Sequence, residues 1–273
     1  MTPIDFDGRF SRWLRGFLEE NQDSFTDVSQ VEALLPQLYE RFVTTPADWL
    51  SGLAPESYFE GQSPEALVAW ILRYEAEEVP VPELLLDVIA RQGKQAREAL
   101  ITLIGNEGAP LSARMTAVNL LREMALPQPV DLYIAWQAAR AEEDELADCA
   151  LEGLEAEGEG VLPALLEALP YASQAGQEAL LSVLSRYPGT EGVYEALIKL
   201  FDSAPERTSA LAAYLGRLGD DRALPALVLR AASLEIDYLD YIELRSAIEA
   251  LGGEAPEREF GEDPGYQAMR DME

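Results

Sequence analysis

The sequence predicts an all-α protein: an α-α superhelix (solenoid) of about six stacked helical pairs, preceded by an N-terminal helical cap. Three observations predict it. Apolar residues recur at steps of three and four in runs rich in Ala and Leu, which is the helical period. Similar runs return every 30 to 32 residues. No stretch alternates apolar and polar residues over the length of a strand.

The repeat consists of a first helix, a short break and a second helix. The clearest first helices open at Ala99, Asp131, Val161, Val193 and Ala223. The second helices are expected at 115–124, 146–154, 179–184, 210–218 and 242–251. An earlier pair, 66–74 with 82–91, fits the frame more loosely. A pair of this size cannot bury its own apolar faces, so we expect neighbouring pairs to stack over residues 63–253.

Two segments flank the repeats. Residues 1–62 contain two amphipathic helices and a compact aromatic element, and we expect a structural cap with Trp13, Trp49, Tyr58 and Phe59 in its core. The tail, 254–273, is polar and acidic and carries Pro and Gly, so we expect a flexible terminus. Docking of the tail on the last repeat through Phe260 and Tyr266 is the alternative.

One junction resembles a known repeat family. The string Leu215-Gly-Arg-Leu-Gly-Asp-Asp-Arg-Ala-Leu-Pro-Ala-Leu227 is similar to the link between HEAT-like repeats of the bacterial type also found in phycobilisome lyases. Weaker echoes occur at 154–166 and 100–108, and the resemblance covers roughly residues 63–253. It implies an armadillo-type α-solenoid. It does not imply one activity, because HEAT-like repeats serve scaffolds, lyases, hydroxylases and DNA-repair enzymes.

The chain carries 50 acids and 20 bases, a formal net charge of -30. Such a surface repels phosphate backbones, so we expect no nucleic-acid partner. Two explanations of the acidity stay open: a solvated surface that favours solubility, which is the commoner cause, and a groove for a basic protein partner. No apolar stretch is long enough for a membrane helix and the N-terminus lacks a secretory pattern, so we expect a cytoplasmic protein without a membrane partner.

The residue inventory removes several chemistries. The chain has no histidine, which excludes His-containing triads, His-ligated metals and the His-Glu sites of HEAT-type di-iron hydroxylases. Carboxylate pairs at Asp5/Asp7 and Asp144/Asp148 are weak metal motifs, and we interpret the second as a solvated helix start. We expect no cofactor and no metal. Cys149 lies in an apolar helical run, and we expect it to be buried and inert.

Two function classes remain. The first is a non-enzymatic scaffold that binds a protein partner along the concave face of the solenoid. The second is a HEAT-type lyase or other enzyme with a carboxylate-based site in a concave pocket. For the first class we expect contacts from polar positions on the second helices that face the groove, with the two exposed tyrosines as the best anchors. These candidate binding residues are Arg114, Glu143, Gln177, Arg207, Tyr238, Asp240 and Tyr241.

Overall fold

The computed structural model describes residues 2–22, 25, 27–141, 143–261 and 263–270. Helices account for 71% of the structure, and the described ranges contain no strand beyond an isolated bridge between Ala47 and Leu53. The prediction of an all-α protein is therefore confirmed. The helices are α1 (Phe6–Glu20), α2 (Val28–Thr44), α3 (Pro64–Ala76), α4 (Glu83–Gln92), α5 (Arg97–Ile104), α6 (Leu111–Glu123), α7 (Val130–Ala139), α8 (Glu145–Ala156), α9 (Leu162–Ala168), α10 (Gln174–Leu184), α11 (Val193–Ser203), α12 (Thr208–Leu218), α13 (Leu224–Ala231), α14 (Tyr238–Ala250) and α15 (Pro264–Arg270).

Each predicted pair corresponds to two consecutive helices, from α3 and α4 to α13 and α14. The chain divides into two compact units, Met1–Gln128 and Pro129–Glu273. Unit 1 holds α1 to α6 and unit 2 holds α7 to α15. This division falls inside the segment 63–253, which the repeat pattern predicts as one continuous stack. None of the described helices combines the length and the apolar character that crossing a membrane requires.

Unit 1 begins with an aromatic cluster around Phe6, which is buried. Its ring contacts Trp49 and Tyr58 edge-on and Phe59 at a tilt, with centroid separations of 5.9, 5.6 and 5.9 Å. Phe59 is fully buried and contacts Trp70 of α3 at 5.8 Å. The cluster therefore covers the side of the first pair, and the core role predicted for Phe59 is confirmed.

The other three aromatic residues expected in that core are half-buried. They are Trp13, Trp49 and Tyr58. Arginines cover two of them: the guanidinium of Arg9 lies 4.8 Å from the ring centroid of Trp49, and that of Arg41 lies 6.0 Å from that of Trp13. A cation over an aromatic face is favourable while the ring remains partly hydrated.

The second helices of unit 2 form a row, in which α10 contacts α8 and α12, and α12 contacts α14. The last contact is close because Gly216 of α12 lies directly against Ala247 of α14. A Cβ built on Gly216 would lie 2.9 Å from the Cα of Ala247. This backbone approach requires a residue without a side chain.

The junction that resembles HEAT-like repeats has a clear local cause. Helix α12 ends at Leu218, and Gly219 takes the left-handed conformation with φ 74°. Asp220 then caps the following turn, its carboxylate accepting from the backbone N–H of Arg222 at 3.1 Å. Pro225 stands in the first turn of α13, where its missing N–H costs nothing. The motif thus ends one helix and starts the next within a few residues.

The tail is docked, so the expectation of a flexible terminus is wrong for residues 254–261 and 263–270. Tyr238 at the start of α14 contacts the rings of Phe260 at 5.3 Å and Tyr266 at 5.0 Å. The hydroxyl of Tyr241 donates to the carbonyl of Pro256 at 2.8 Å. The alternative expectation, docking through Phe260 and Tyr266, is the correct one, because aromatic contacts with α14 outweigh the polarity of the segment.

The tail also repeats a contact made between pairs. Arg230 of α13 donates to the carbonyl of Phe201 near the end of α11 at 3.0 Å. Arg258 of the tail donates in the same way to the carbonyl of Ala231, the last residue of α13, at 3.3 Å. Each guanidinium also lies over a phenylalanine ring, Arg258 over that of Phe260 at 4.5 Å. Arg258 therefore makes the contact that a following first helix would make, and the tail closes this end of unit 2.

Candidate functional site: a groove on the second helices of unit 2

A groove of about 740 Å³ runs over the second helices of three successive pairs, α8, α10 and α12. Its floor is the face of α10 that carries Ala175, Ala179 and Ser182. These side chains are small, so the floor is low between the walls provided by α8 and α12. Exposed Gln174 and Glu206 stand at the edge of the groove, which is open to solvent there.

The wall at α8 contains an ordered guanidinium. Arg140 donates to Asp148 at 2.6 Å and to Gln137 at 3.0 Å, and its side chain is only 8% exposed. The carbonyl of Arg140 in turn accepts from the hydroxyl of Ser173, the N-cap of α10, at 2.8 Å. These bonds fix the α7–α8 turn to the start of α10.

The wall at α12 begins with Arg207, which binds both carboxylate oxygens of Glu178 from α10, the Nε–Oε2 bond at 2.7 Å. Beside it, Gln174 donates to Glu206 at 3.3 Å. Deeper in the wall lies Tyr214, half-buried. Burial raises the pKa of the Tyr214 phenol, and the carboxylate of Glu178 adds to the rise. The phenol is therefore neutral at physiological pH and can donate a hydrogen bond into the groove.

Of the seven candidate binding residues, Arg207 alone lines this groove. Gln177 lies on α10 but is half-buried, and its amide donates to the carbonyl of Ala172 at 3.2 Å. Glu143 is exposed in the segment before α8. Arg114 lies in unit 1, where it donates to the carbonyl of Ile104 at 2.8 Å and so joins α6 to the end of α5.

The three candidates on α14 have other contacts. Asp240 accepts from the hydroxyl of Ser209 on α12, so it belongs to the contact between these helices. Tyr241 is 7% exposed and Tyr238 is half-buried, both against the tail. The expectation that these tyrosines are exposed anchors is therefore wrong, because the tail covers the face of α14 that carries them.

The weak metal motifs are helix starts. The carboxylate of Asp144 caps α8 and accepts from the N–H of Ala147 at 3.0 Å, as expected. Asp5 caps α1 in the same manner through Gly8 at 2.7 Å. Within the described ranges no three potential ligands stand together as a metal site. Cys149 is half-buried rather than buried, so that expectation needs correction: it lies at the margin of the apolar stripe of α8.

Sequence reasoning missed most of the groove, including Arg140, Asp148, Glu178, Glu206 and Tyr214. One signal was available. Gln174, Glu178 and Ser182 follow each other at steps of four and define a polar stripe on α10. The ion pairs have no such signal, because Arg140 and Arg207 precede their helices and their partners become neighbours only on packing.

The fold and the groove define the class of protein. It is an all-helical protein of successive helix pairs, with a polar groove, open to solvent, on the second helices α8, α10 and α12. Comparisons with family models, curated proteins and solved structures return no match for this chain. The HEAT-like resemblance therefore rests on the repeat period and the junction at 215–227.

Proposed function

We propose that this protein is a non-enzymatic scaffold of the HEAT-like solenoid class, and that a segment of a protein partner binds in the groove on α8, α10 and α12. The groove itself is the observation that carries the proposal. Stacked helical pairs offer extended surfaces that accommodate chain segments, and this one crosses three pairs. Its volume, about 740 Å³, is enough for several side chains of such a segment.

The polar groups of the walls support a binding role. Arg140 is paired with Asp148, and Arg207 with Glu178. A catalytic carboxylate must act on a substrate, whereas the carboxylates of Asp148 and Glu178 are paired with arginines in the walls of an open groove. The alternative function, a lyase or other enzyme with a carboxylate-based site, needs an enclosed pocket with converging acids. No observation in the groove favours it.

Crosslinking at one position tests the proposal. A photoreactive residue is placed at Gln174 in the groove, and in a matched protein at Glu167, which is exposed on the first helix α9. We expect a discrete crosslinked protein from the native extract with the first probe and none with the second. Purified, that protein should bind the wild type in calorimetry.

A blocking variant completes the test. Ala175→Trp should fill the groove and abolish the crosslink, whereas Ala156→Trp, at an exposed position of α8 outside the groove, should leave it unchanged. Both variants need the circular dichroism and melting temperature of the wild type. A crosslink that persists in folded Ala175→Trp would contradict the proposed function.

A further inference from the structure

The groove contains side-chain oxygen atoms that are free to accept hydrogen bonds from a ligand. Asp148 uses Oδ1 for Arg140, and Glu206 uses Oε1 for Gln174. The second oxygen of each carboxylate, and the amide oxygen of Gln174, make no hydrogen bond within the described ranges. All three atoms can only accept. They stand on both sides of the floor, so a ligand in the groove meets unused acceptors from the α8 wall and from the α12 edge.

The cations of the groove are already engaged. Arg140 is almost completely covered and holds two side-chain partners. The guanidinium of Arg207 is bound by both oxygens of Glu178. Unit 2 as a whole has an excess of negative charge. Residues 129–273 carry 30 of the 50 acids and only half of the 20 Lys and Arg residues. The surrounding potential is negative and attracts positive charge.

The floor suits the stem of a long cationic side chain. Ala175 and Ala179 present methyl groups, and Leu151 of α8 adds a larger apolar surface beside them. Lys and Arg place their methylene stems along such surfaces while the charged head reaches polar groups. The acceptors on Asp148 and Glu206 lie where such heads would end, at the exposed edges of the walls.

We propose that the occupant of the groove is a lysine- or arginine-bearing segment of the partner protein, held by Asp148 and Glu206 over the alanine floor. This inference rests on the proposed function and names the chemistry of its partner. Charge complementarity gives such a complex a strong dependence on salt, because its ion pairs are exposed.

Short fluorescein-labelled peptides test it by anisotropy at low salt. One alternates Ala and Lys, a second alternates Ala and Glu, and a third alternates Ala and Ser. We expect binding of the Lys peptide alone. The double variant Asp148→Asn with Glu206→Gln should weaken it about tenfold, since two exposed ion pairs are lost. The matched variant Glu159→Gln with Glu167→Gln removes the same charge away from the groove and should weaken binding less than about twofold.

A single charge-reversal variant keeps the test interpretable if the double variant misfolds. Glu206 is exposed, so its replacement leaves the packing intact. Glu206→Lys should lose the Lys peptide and gain measurable affinity for the Glu peptide. The inference is overturned if the groove and matched double variants behave alike, if no peptide binds, or if the Glu or Ser peptide binds as well as the Lys peptide. The inference is also overturned if spermidine, added at the same concentration of positive charge, displaces the Lys peptide, because the site would then bind any cation.

The blocking variant separates this inference from the proposed function. If Ala175→Trp abolishes the binding of a peptide that Asp148 and Glu206 do not influence, the charge assignment fails and the groove remains the binding site. If Ala175→Trp affects neither peptide binding nor the crosslink at position 174, the proposed function fails as well.

Discussion

The two ends of the chain are both closed by aromatic residues, but by different means. At the N-terminal end of unit 1, Phe6 and Phe59 are buried in a cluster of ring contacts. At the C-terminal end of unit 2, Tyr238 and Phe260 meet while half-buried, and Arg258 ties the segment to the end of α13 through carbonyl bonds. The first end is closed by apolar burial and the second by a few specific polar and ring contacts.

The difference predicts different responses to perturbation. Apolar burial is distributed over many atoms and contributes a large share of the free energy of unfolding. A segment held by one arginine, the hydroxyl of Tyr241 and a few rings has few contacts to lose, so it should open before unit 2 unfolds. The N-terminal cluster should therefore determine the stability of its unit, and the C-terminal segment should determine only local opening.

The largest effect is expected at Phe59. Because its side chain is fully buried, Phe59→Ala should lower the free energy of unfolding by about 3–5 kcal/mol. Urea titration followed by tryptophan fluorescence measures this, since three of the four tryptophans, Trp13, Trp49 and Trp70, lie in unit 1, and Trp136 reports on unit 2. As the control, Tyr171→Ala removes a ring that is 87% exposed and should change the value by less than about 0.5 kcal/mol. Equal losses of unfolding free energy in the two variants would show that the buried ring of Phe59 does not stabilise unit 1 more than an exposed ring does.

A smaller effect is expected where α12 meets α14. Gly216→Ala places a methyl group against the backbone of Ala247 and should destabilise unit 2 by about 1–3 kcal/mol. Gly160→Ala is the matched change, because a Cβ there meets nothing within 4 Å. Thermal unfolding monitored by circular dichroism measures the expected difference in stability between the two variants. If Gly216→Ala is as stable as Gly160→Ala, the close approach of the two helices is wrong.

Arg258→Ala should act locally. It removes the carbonyl bonds and the ring contact of the tail, a loss of about 1–2 kcal/mol in the free energy of tail opening. Hydrogen exchange should show faster exchange in the tail and at the start of α14, with α12 unchanged. Arg245→Ala removes an exposed pair with Glu249 inside α14 and no hydrogen bond to the carbonyls of the α13 end, so it should leave exchange in the tail nearly unaltered. Loss of protection throughout unit 2 would show that the tail is needed for the fold.

The smallest effect appears only at alkaline pH. Burial raises the pKa of Tyr74 to about 12, although the hydrogen bond that its oxygen accepts from the backbone N–H of Ile4 opposes the rise. The folded state therefore keeps this proton longer than the unfolded state does. The contribution of Tyr74 to stability should therefore be constant below pH 10 and fall as pH rises from 10 toward 12. Tyr74→Phe should make urea midpoints in that window less dependent on pH, and an unchanged slope would contradict this.

The helices were predictable because their signals are local. The apolar period, the glycine after α12 and the proline at the start of α13 stand within a few residues of each other, and they place the junction at 215–227 correctly. The docked tail was harder to predict. Tyr238 and Tyr266 are far apart in sequence, and the acidic residues between them favour disorder when only composition is considered.

The groove was missed for a related reason. Which face of a second helix is open depends on where its neighbours pack, and a helical period alone leaves this undetermined. Gln177 and Gln174 are equally polar in sequence. Only the packing of α10 turns Gln177 toward Ala172 and places Gln174 at the rim.

The groove on α8, α10 and α12 is the proposed binding surface. Backbone NMR of the intact protein, titrated with the Lys peptide, shows which residues the peptide contacts. We expect the chemical-shift changes to concentrate at Ala175, Glu178, Ser182 and Tyr214 and to disappear in Ala175→Trp. Shifts concentrated on the first helices α9 and α11, or on the tail over α14, would contradict it.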